Sequence, residues 1–272
     1  MSPVAGGRAA TWPRITIVTP CLNARHTIEQ TLASVREQDY PDLEHLVIDG
    51  GSTDGTLAVL AAADGIQYVS APDRGLSDAV NKGVEMATGE LMGWLNADDL
   101  YLPGALRRVG RAHAEHDRPL WVVGGCIIIA ADGSQIRRPV TAYKDLLLRG
   151  YSLRLLLTQN FVSAPSTFVS RAGFERVGRL DEALKYSMDY DIWLRLARLG
   201  PPLIVPDHIA AFRMAEGSLS MTGFELQFKE HNAVARRHGQ GKRVAVGANA
   251  VTSRAIVGVY RALAWRRARR RA

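Results

Sequence analysis

The chain has 272 residues, 47% hydrophobic and 22% charged, which fits a globular protein with a sizeable core and excludes a fibrous or low-complexity chain. Its two cysteines, Cys21 and Cys126, lie far apart, so a disulfide framework is not expected and a reducing cytoplasm is the natural setting. The net charge of +7 is local, because the segment WRRARRRA at 265–272 holds five arginines and without them the chain would stand at +2.

Residues 1–13 are Gly- and Ala-rich without periodicity and read as disordered, with no apolar run of signal-peptide length. RITIVTP (14–20) reads as a strand ending in a turn. HTIEQTLASVREQ (26–38) spaces Ile28, Leu32 and Val35 as one helical face. LEHLVIDGG (43–51) is a second, buried strand, followed by a helix that Ser52 or Thr53 could cap. A third strand (66–72), a third helix (76–87) and a fourth strand (89–96) complete three strand–helix repeats. Such alternation predicts an α/β fold with a Rossmann-like, mostly parallel sheet flanked by helices.

Beyond residue 103 the pattern loosens. LPGALRRVGRAHAEH reads as a helix, and 120–139 as a hairpin turning at Ala131-Asp132-Gly133. MDYDIWLRLARLG (188–200) is an amphipathic helix closed by Gly200 and two prolines. Residues 223–272 form a helical, increasingly basic C-terminal extension. No stretch reaches the roughly 18–20 uninterrupted apolar residues needed to span a bilayer.

Three acidic loops follow the carboxyl ends of strands, which is where open α/β sheets bind ligands. In VIDGGSTDGT, Asp49 leaves a buried strand, Gly50 and Gly51 permit close backbone approach, and Ser52, Thr53 and Asp54 add polar groups. This is a helix-capping turn or a nucleoside site. In APDRGLSDAVNKG, Asp73, Arg74, Asp78, Asn81 and Lys82 crowd a strand–helix junction. Arg74 and Lys82 could face phosphate oxygens, or the segment is a solvated helix start. In GWLNADD, Asp98 and Asp99 sit side by side. They could be solvated, share a proton, or hold a hard divalent ion such as Mg²⁺ or Mn²⁺.

The ordered set ITIVTPCLNARHTIEQTLASVREQDYPDLEHLVIDGGSTDGT and DRGLSDAVNKGVEMATGELMGWLNADD resembles inverting nucleotide-sugar glycosyltransferases of family 2, with the GT-A fold. The resemblance covers roughly 14–220 and is nearest to small bacterial enzymes that build polysaccharide or glycolipid precursors. It implies a GT-A domain at 14–222, with a nucleotide-sugar half (14–103) and an acceptor half (104–222). It also implies that Thr19, Pro20 and Asn23 open the nucleotide pocket. Asp49 would contact the base, with Gly50, Ser52 and Asp54 beside it, and Asp73, Arg74, Asp78, Asn81 and Lys82 would hold the rest of the donor. Asn96-Ala97-Asp98 stands at the family's Asp-x-Asp position, with Asp98 on the sugar or ribose and Asp99 as the metal ligand. Asn96 keeps an acceptor oxygen but lacks the charge of the usual first Asp.

Downstream, Met188-Asp189 stands where Glu-Asp is common in the family, making Asp189 the expected general base and Asp191 the alternative. Helix capping is the structural reading of both. Arg213 and Ser218 would reach the diphosphate. The implied activity is metal-dependent transfer from a nucleoside-diphosphate sugar, UDP- or dTDP-linked, to a saccharide or lipid-linked hydroxyl. In the tail, Ile256, Val259, Tyr260 and Leu263 would form one apolar face ringed by arginines, an interfacial helix on the inner membrane surface. Two rival readings are a metal-dependent nucleotidyltransferase, which lacks support from a Gly-rich basic loop after the first strand, and a nucleic-acid-binding protein, disfavoured because the charge lies in one tail.

Overall fold

The computed structural model describes residues 12–214 and 223–271. Its first half follows the expected alternation: β1 (Ile15–Cys21), α1 (Ile28–Arg36), β2 (Leu43–Asp49), α2 (Thr56–Ala61), β3 (Gln67–Ser70), α3 (Leu76–Met86) and β4 (Leu91–Trp94). The second half adds β5 (Leu100–Tyr101), α4 (Ala105–Glu115), β6 (Trp121–Ile129), β7 (Gln135–Ile136), α5 (Arg138–Arg149) and α6 (Leu153–Thr158). After a 3-10 turn at Ala164–Ser166 come β8 (Thr167–Ser170), α7 (Arg171–Val177), α8 (Met188–Leu199), β9 (Leu203–Arg213), α9 (Phe224–His238) and α10 (Arg243–Arg271).

One sheet runs through both halves in the order β3-β2-β1-β4-β8-β6-β9-β5, with β7 paired to β6. The β3-β2-β1-β4 portion is parallel throughout. β8 then enters antiparallel between β4 and β6, and β9 returns parallel to β6 through a bulge at Gly125. Strand pleating sends successive β1 side chains to opposite faces. Ile15 and Ile17 join a core beneath α1 and α4, whereas Val18 joins a larger core with α3 and α8. On that second face α3 lies so close that a Cβ at Gly83 would fall 2.2 Å from Val18, a contact only glycine permits.

Trp94, Trp121 and Trp193 are core residues. Trp193 lies between the other two, stacked at 5.2 Å on Trp94 and 6.0 Å on Trp121. This stack ties the end of β4 to the face of α8.

Two local expectations need correction. Trp12 and Pro13 are packed rather than disordered: the Trp12 ring meets Tyr40 edge-on at 5.6 Å, and Tyr40 Oη donates to the Pro13 carbonyl at 2.7 Å. Residues 1–11 lie outside the described residues. Neither Ser52 nor Thr53 caps α2; Asp54 Oδ1 accepts the Thr56 N–H at 3.0 Å, because Ser52 is committed to Asp49. β3 is an exposed edge strand. The basic extension is helical, and α9 packs on the start of α8: Glu230 accepts the Lys185 and Tyr186 N–H groups at 3.1 and 2.7 Å. Side chains beyond 258, including Val259, Tyr260 and Leu263, lie outside the described residues, as does Ser218. Among the described residues no helix is long and apolar enough to cross a membrane.

Candidate functional site

The loops after β1 and β2 are stitched together by their own polar groups. Asn23, in the left-handed region at φ 51°, donates its N–H to Ser52 Oγ at 2.7 Å and accepts the Thr53 N–H on Oδ1 at 2.9 Å. Asp54 accepts the Arg25 N–H at 3.0 Å. Asp49 is fully buried and organises this loop: it accepts from the Gly51 and Ser52 N–H groups at 3.0 Å each, from Ser70 Oγ at 2.7 Å, and from Ser52 Oγ. Burial alone would raise its pKa, but these bonds, led by Ser52 and Ser70, hold it below the usual carboxylate range. Thr19 points into the core, its hydroxyl 2.9 Å from Nε2 of buried His45. Pro20 is buried beside it in β1.

The loop after β3 closes over this seat. Asp73 takes the Gly75 N–H at 2.9 Å, and a Cβ at Gly50 would fall 2.6 Å from Asp73 Oδ2. Asp78, buried in the first turn of α3, bridges Arg74 at 2.8 Å and Lys82 at 3.0 Å. The hydrogen bonds from Arg74 come first among the causes that hold its carboxyl far below the usual range. Arg74 also pairs with Glu182 at 2.8 Å. Asn81 donates to the Leu180 carbonyl at 3.1 Å and accepts the Leu180 N–H at 2.9 Å, fastening α3 to the segment ahead of α8. Asn81 and Arg74 therefore join the two halves of the domain, and Asp78 holds Arg74 in place.

The Asn96–Asp99 turn resolves the carboxylate pair unevenly. Asp99 is 0% exposed. Its Oδ1 accepts the Arg213 N–H at 2.9 Å and its Oδ2 the Asn96 amide at 3.1 Å. Burial first, and the neighbouring Asp98 second, push its pKa well above the usual range. Asp98 is half-buried and accepts no hydrogen bond from another described residue; burial raises its pKa as well. Asn96 Oδ1 is buried without a partner. The unengaged acceptors at this strand end are thus the Asp98 carboxylate and the Asn96 amide oxygen, while Asp99 is spent on the fold. One carboxylate and one amide oxygen, completed by substrate phosphate, is a donor set a hard divalent ion accepts. Among the described residues no group of three or more His, Cys, Asp or Glu converges as a metal cluster.

Arg213 does not face a diphosphate. It is 2% exposed, and its guanidinium donates to the carbonyls of Asp98 at 2.8 Å and Ala131 at 2.7 Å and to Gln30 Oε1 at 2.7 Å. Buried and bonded in this way, the fork is held by the chain and not presented to a ligand.

The start of α8 separates the two remaining carboxylates. Asp191 is buried and paired with His238 at 2.7 Å, Arg195 at 2.9 Å and Arg237 at 3.5 Å. Against its burial, these partners, His238 first, hold its pKa down. It anchors α9 to α8. Asp189 has only amide partners, the Tyr190 N–H at 2.6 Å and Asn160 Nδ2 at 3.3 Å, and burial pushes its pKa up to about 6. Lys144 lies near it electrostatically, its Nζ donating to Ser163 Oγ at 2.8 Å. Asn160, Lys144 and Ser163 escape sequence reasoning because each is a lone polar residue in an unpatterned stretch.

The family model described as Glycosyl transferase family 2 matches residues 16–178. A PGL/p-HBAD biosynthesis glycosyltransferase of Mycobacterium bovis is 28% identical over 267 residues, covering 94% of this chain and 99% of that protein. An uncharacterized glycosyltransferase of Rickettsia felis is 26% identical over 194 residues, and the match spans 70% of this chain but only 32% of the relative. Among solved structures, S. aureus TarS 1-349 in complex with UDP-GlcNAc has a TM-score of 0.63 at 17% identity, covering 81% of this chain and 65% of that one. The mannosyltransferase PcManGT from Pyrobaculum calidifontis, in complex with GDP-Man and Mn²⁺, has a TM-score of 0.62 at 23% identity, covering 88% and 70%. These neighbours show the GT-A fold.

Proposed function

Because the chain belongs to glycosyl transferase family 2, we propose that it moves a sugar, with inversion, from a nucleoside-diphosphate sugar to an acceptor hydroxyl. Two of its structural neighbours were captured with UDP-GlcNAc and with GDP-Man, which supports a nucleotide-sugar donor of this kind. The observation that carries the reading is Asp189, a half-buried carboxylate with a pKa near 6 and no cationic hydrogen-bond partner, on the helix whose Trp193 stacks on Trp94 at the end of β4. A general base works best with its pKa near the operating pH, and Asp191, held by His238 and two arginines, is ill placed to take a proton.

The seat formed by Asn23, Asp49, Gly50, Ser52, Asp54 and Asp73 holds the nucleoside. Arg74 and Lys82, both partly exposed, lie beside it. Asp98 and Asn96 Oδ1 would hold a divalent cation, Mn²⁺ or Mg²⁺, in preference to Asp99, whose oxygens are engaged. When bound, such an ion offsets the charge that develops on the leaving diphosphate. Asp189 takes the acceptor hydroxyl proton while the acceptor oxygen bonds to the anomeric carbon, and the bond from that carbon to the diphosphate oxygen breaks on the opposite face. The M. bovis relative's role in PGL/p-HBAD biosynthesis supports a glycolipid or polysaccharide acceptor, with the basic tail resting on the membrane.

Thermal-shift measurements with UDP-, dTDP- and GDP-sugars, with and without Mn²⁺, test the donor assignment. A ligand at about a hundred times its Kd stabilises the native state by about 2.7 kcal/mol. The expected result is a Mn²⁺-dependent shift that Asp98→Ala removes; no shift with any donor overturns the reading.

A further inference from the structure

Helix α5 has two faces of different character. Inward, Thr141 and Leu148 are buried, and Lys144 reaches Ser163. Outward, Pro139, Val140, Ala142, Tyr143 and Leu146 are all exposed, Leu146 at 65%. The helix's single carboxylate, Asp145, is paired with His208 at 2.9 Å. Around the apolar stripe stand Arg138 and Arg149, with Arg154 on the following α6, all exposed and none in an ion pair among the described residues.

An ordinary surface helix turns charged and polar residues to solvent. This one exposes apolar side chains rimmed by unpaired arginines, the pattern of a helix lying in the headgroup layer of an anionic membrane. Arginine stems extend that apolar footprint while their heads remain with the headgroups. We propose that α5, with the start of α6, is a docking surface for an anionic phospholipid bilayer.

The surface is linked to the base through two consecutive residues. Tyr143 Oη donates to Gln159 Oε1 at 3.0 Å, and the adjacent Asn160 donates to Asp189 at 3.3 Å. Resting on the reading of Asp189 above, docking through α5 would set the bilayer on the side of the domain that carries the base. The docking surface is distinct in sequence from the arginine-rich segment 265–272.

The test uses the full chain with vesicles of phosphatidylcholine, alone or mixed with phosphatidylglycerol. Co-sedimentation of the wild type is compared with Leu146→Glu/Arg149→Glu, whose fold is checked by circular dichroism. In a second variant, Leu146→Cys, an environment-sensitive dye is attached; the native Cys21 and Cys126 are buried and react slowly. Each cation at the surface is worth roughly fivefold in partitioning, so the charge-reversing double variant should lose at least about tenfold on the mixed vesicles. The dye should shift to the blue only with phosphatidylglycerol present. Wild-type partitioning by the double variant with an unchanged dye spectrum would place the contact on the tail and overturn the proposal. Self-association through position 146 without vesicle binding would overturn it in favour of a protein interface. Because the readout is binding, its failure leaves the sugar-transfer reading standing.

Discussion

Replacing Asp189 by Asn should make the protein more stable and nearly inactive. Burial lifts this carboxyl from 3.8 to about 6, and each pKa unit corresponds to about 1.4 kcal/mol. Holding the charge in the folded state at neutral pH, net of the attraction to Lys144 and the hydrogen bonds, therefore costs up to about 3 kcal/mol, so its removal should gain ~1–3 kcal/mol. Asn keeps both contacts: its oxygen still accepts the Tyr190 N–H, and its amide meets Asn160 Oδ1, which is buried and unpartnered and needs only a flip of the Asn160 amide.

The pH dependence has a definite sign. With the folded pKa above the unfolded one, the native state binds more protons, so this group lowers wild-type stability as pH rises from about 4 to about 6. The variant lacks that loss. Urea denaturation should then show the gain at about pH 7.5 and almost none at about pH 4. An equal gain at both pH values, or none at pH 7.5, would refute the account of Asp189 as a desolvated, ionised base. Removing a general base should also slow transfer by about 10²–10⁴-fold, and wild-type activity should fall as pH drops through about 6.

Asp98→Ala should fold normally and lose Mn²⁺-dependent donor binding, whereas Asp99→Ala should destabilise by about 2–4 kcal/mol because it strands the Arg213 N–H and the Asn96 amide in the interior; thermal melts with and without donor separate the two. Asp191→Ala should destabilise by about 3–5 kcal/mol by leaving Arg195 without its counter-charge and buried His238 without its hydrogen-bond partner, with surviving folded enzyme retaining an Asp189-dependent pH profile. Gly50→Ala should push Asp73 aside, given the 2.6 Å approach, and weaken donor affinity about tenfold at little cost in melting temperature; an unchanged Kd by calorimetry would remove that loop from the donor site.

The strand–helix alternation up to residue 96 was legible because each element there carries its own period and ends in its own turn. The hairpin at 120–139 and α8 were legible for the same reason, with Gly133 at φ 84° in the expected turn. β9 was not read as a strand: Pro206-Asp207-His208 interrupts its pattern opposite the Gly125 bulge. β5 is two residues long and depends on pairing with β9 more than a hundred positions away. The acidic loops announced a site, but not which oxygen is available. Local spacing treats Asp98 and Asp99 alike, and the long-range bond from the Arg213 backbone is what distinguishes the engaged carboxylate of Asp99 from that of Asp98. In the same way His238, far down the chain, engages Asp191 and not Asp189.

The central claim is most directly tested by the fate of the nucleotide. The full chain is incubated with each UDP-, dTDP- and GDP-sugar, Mn²⁺ and a bacterial lipid extract as acceptor, and the reaction is followed by ³¹P NMR, with Asp189→Asn in parallel. The account predicts release of nucleoside diphosphate by the wild type, with the product's anomeric configuration inverted, and little release by the variant. Release of pyrophosphate, or equal turnover by Asp189→Asn, would contradict it.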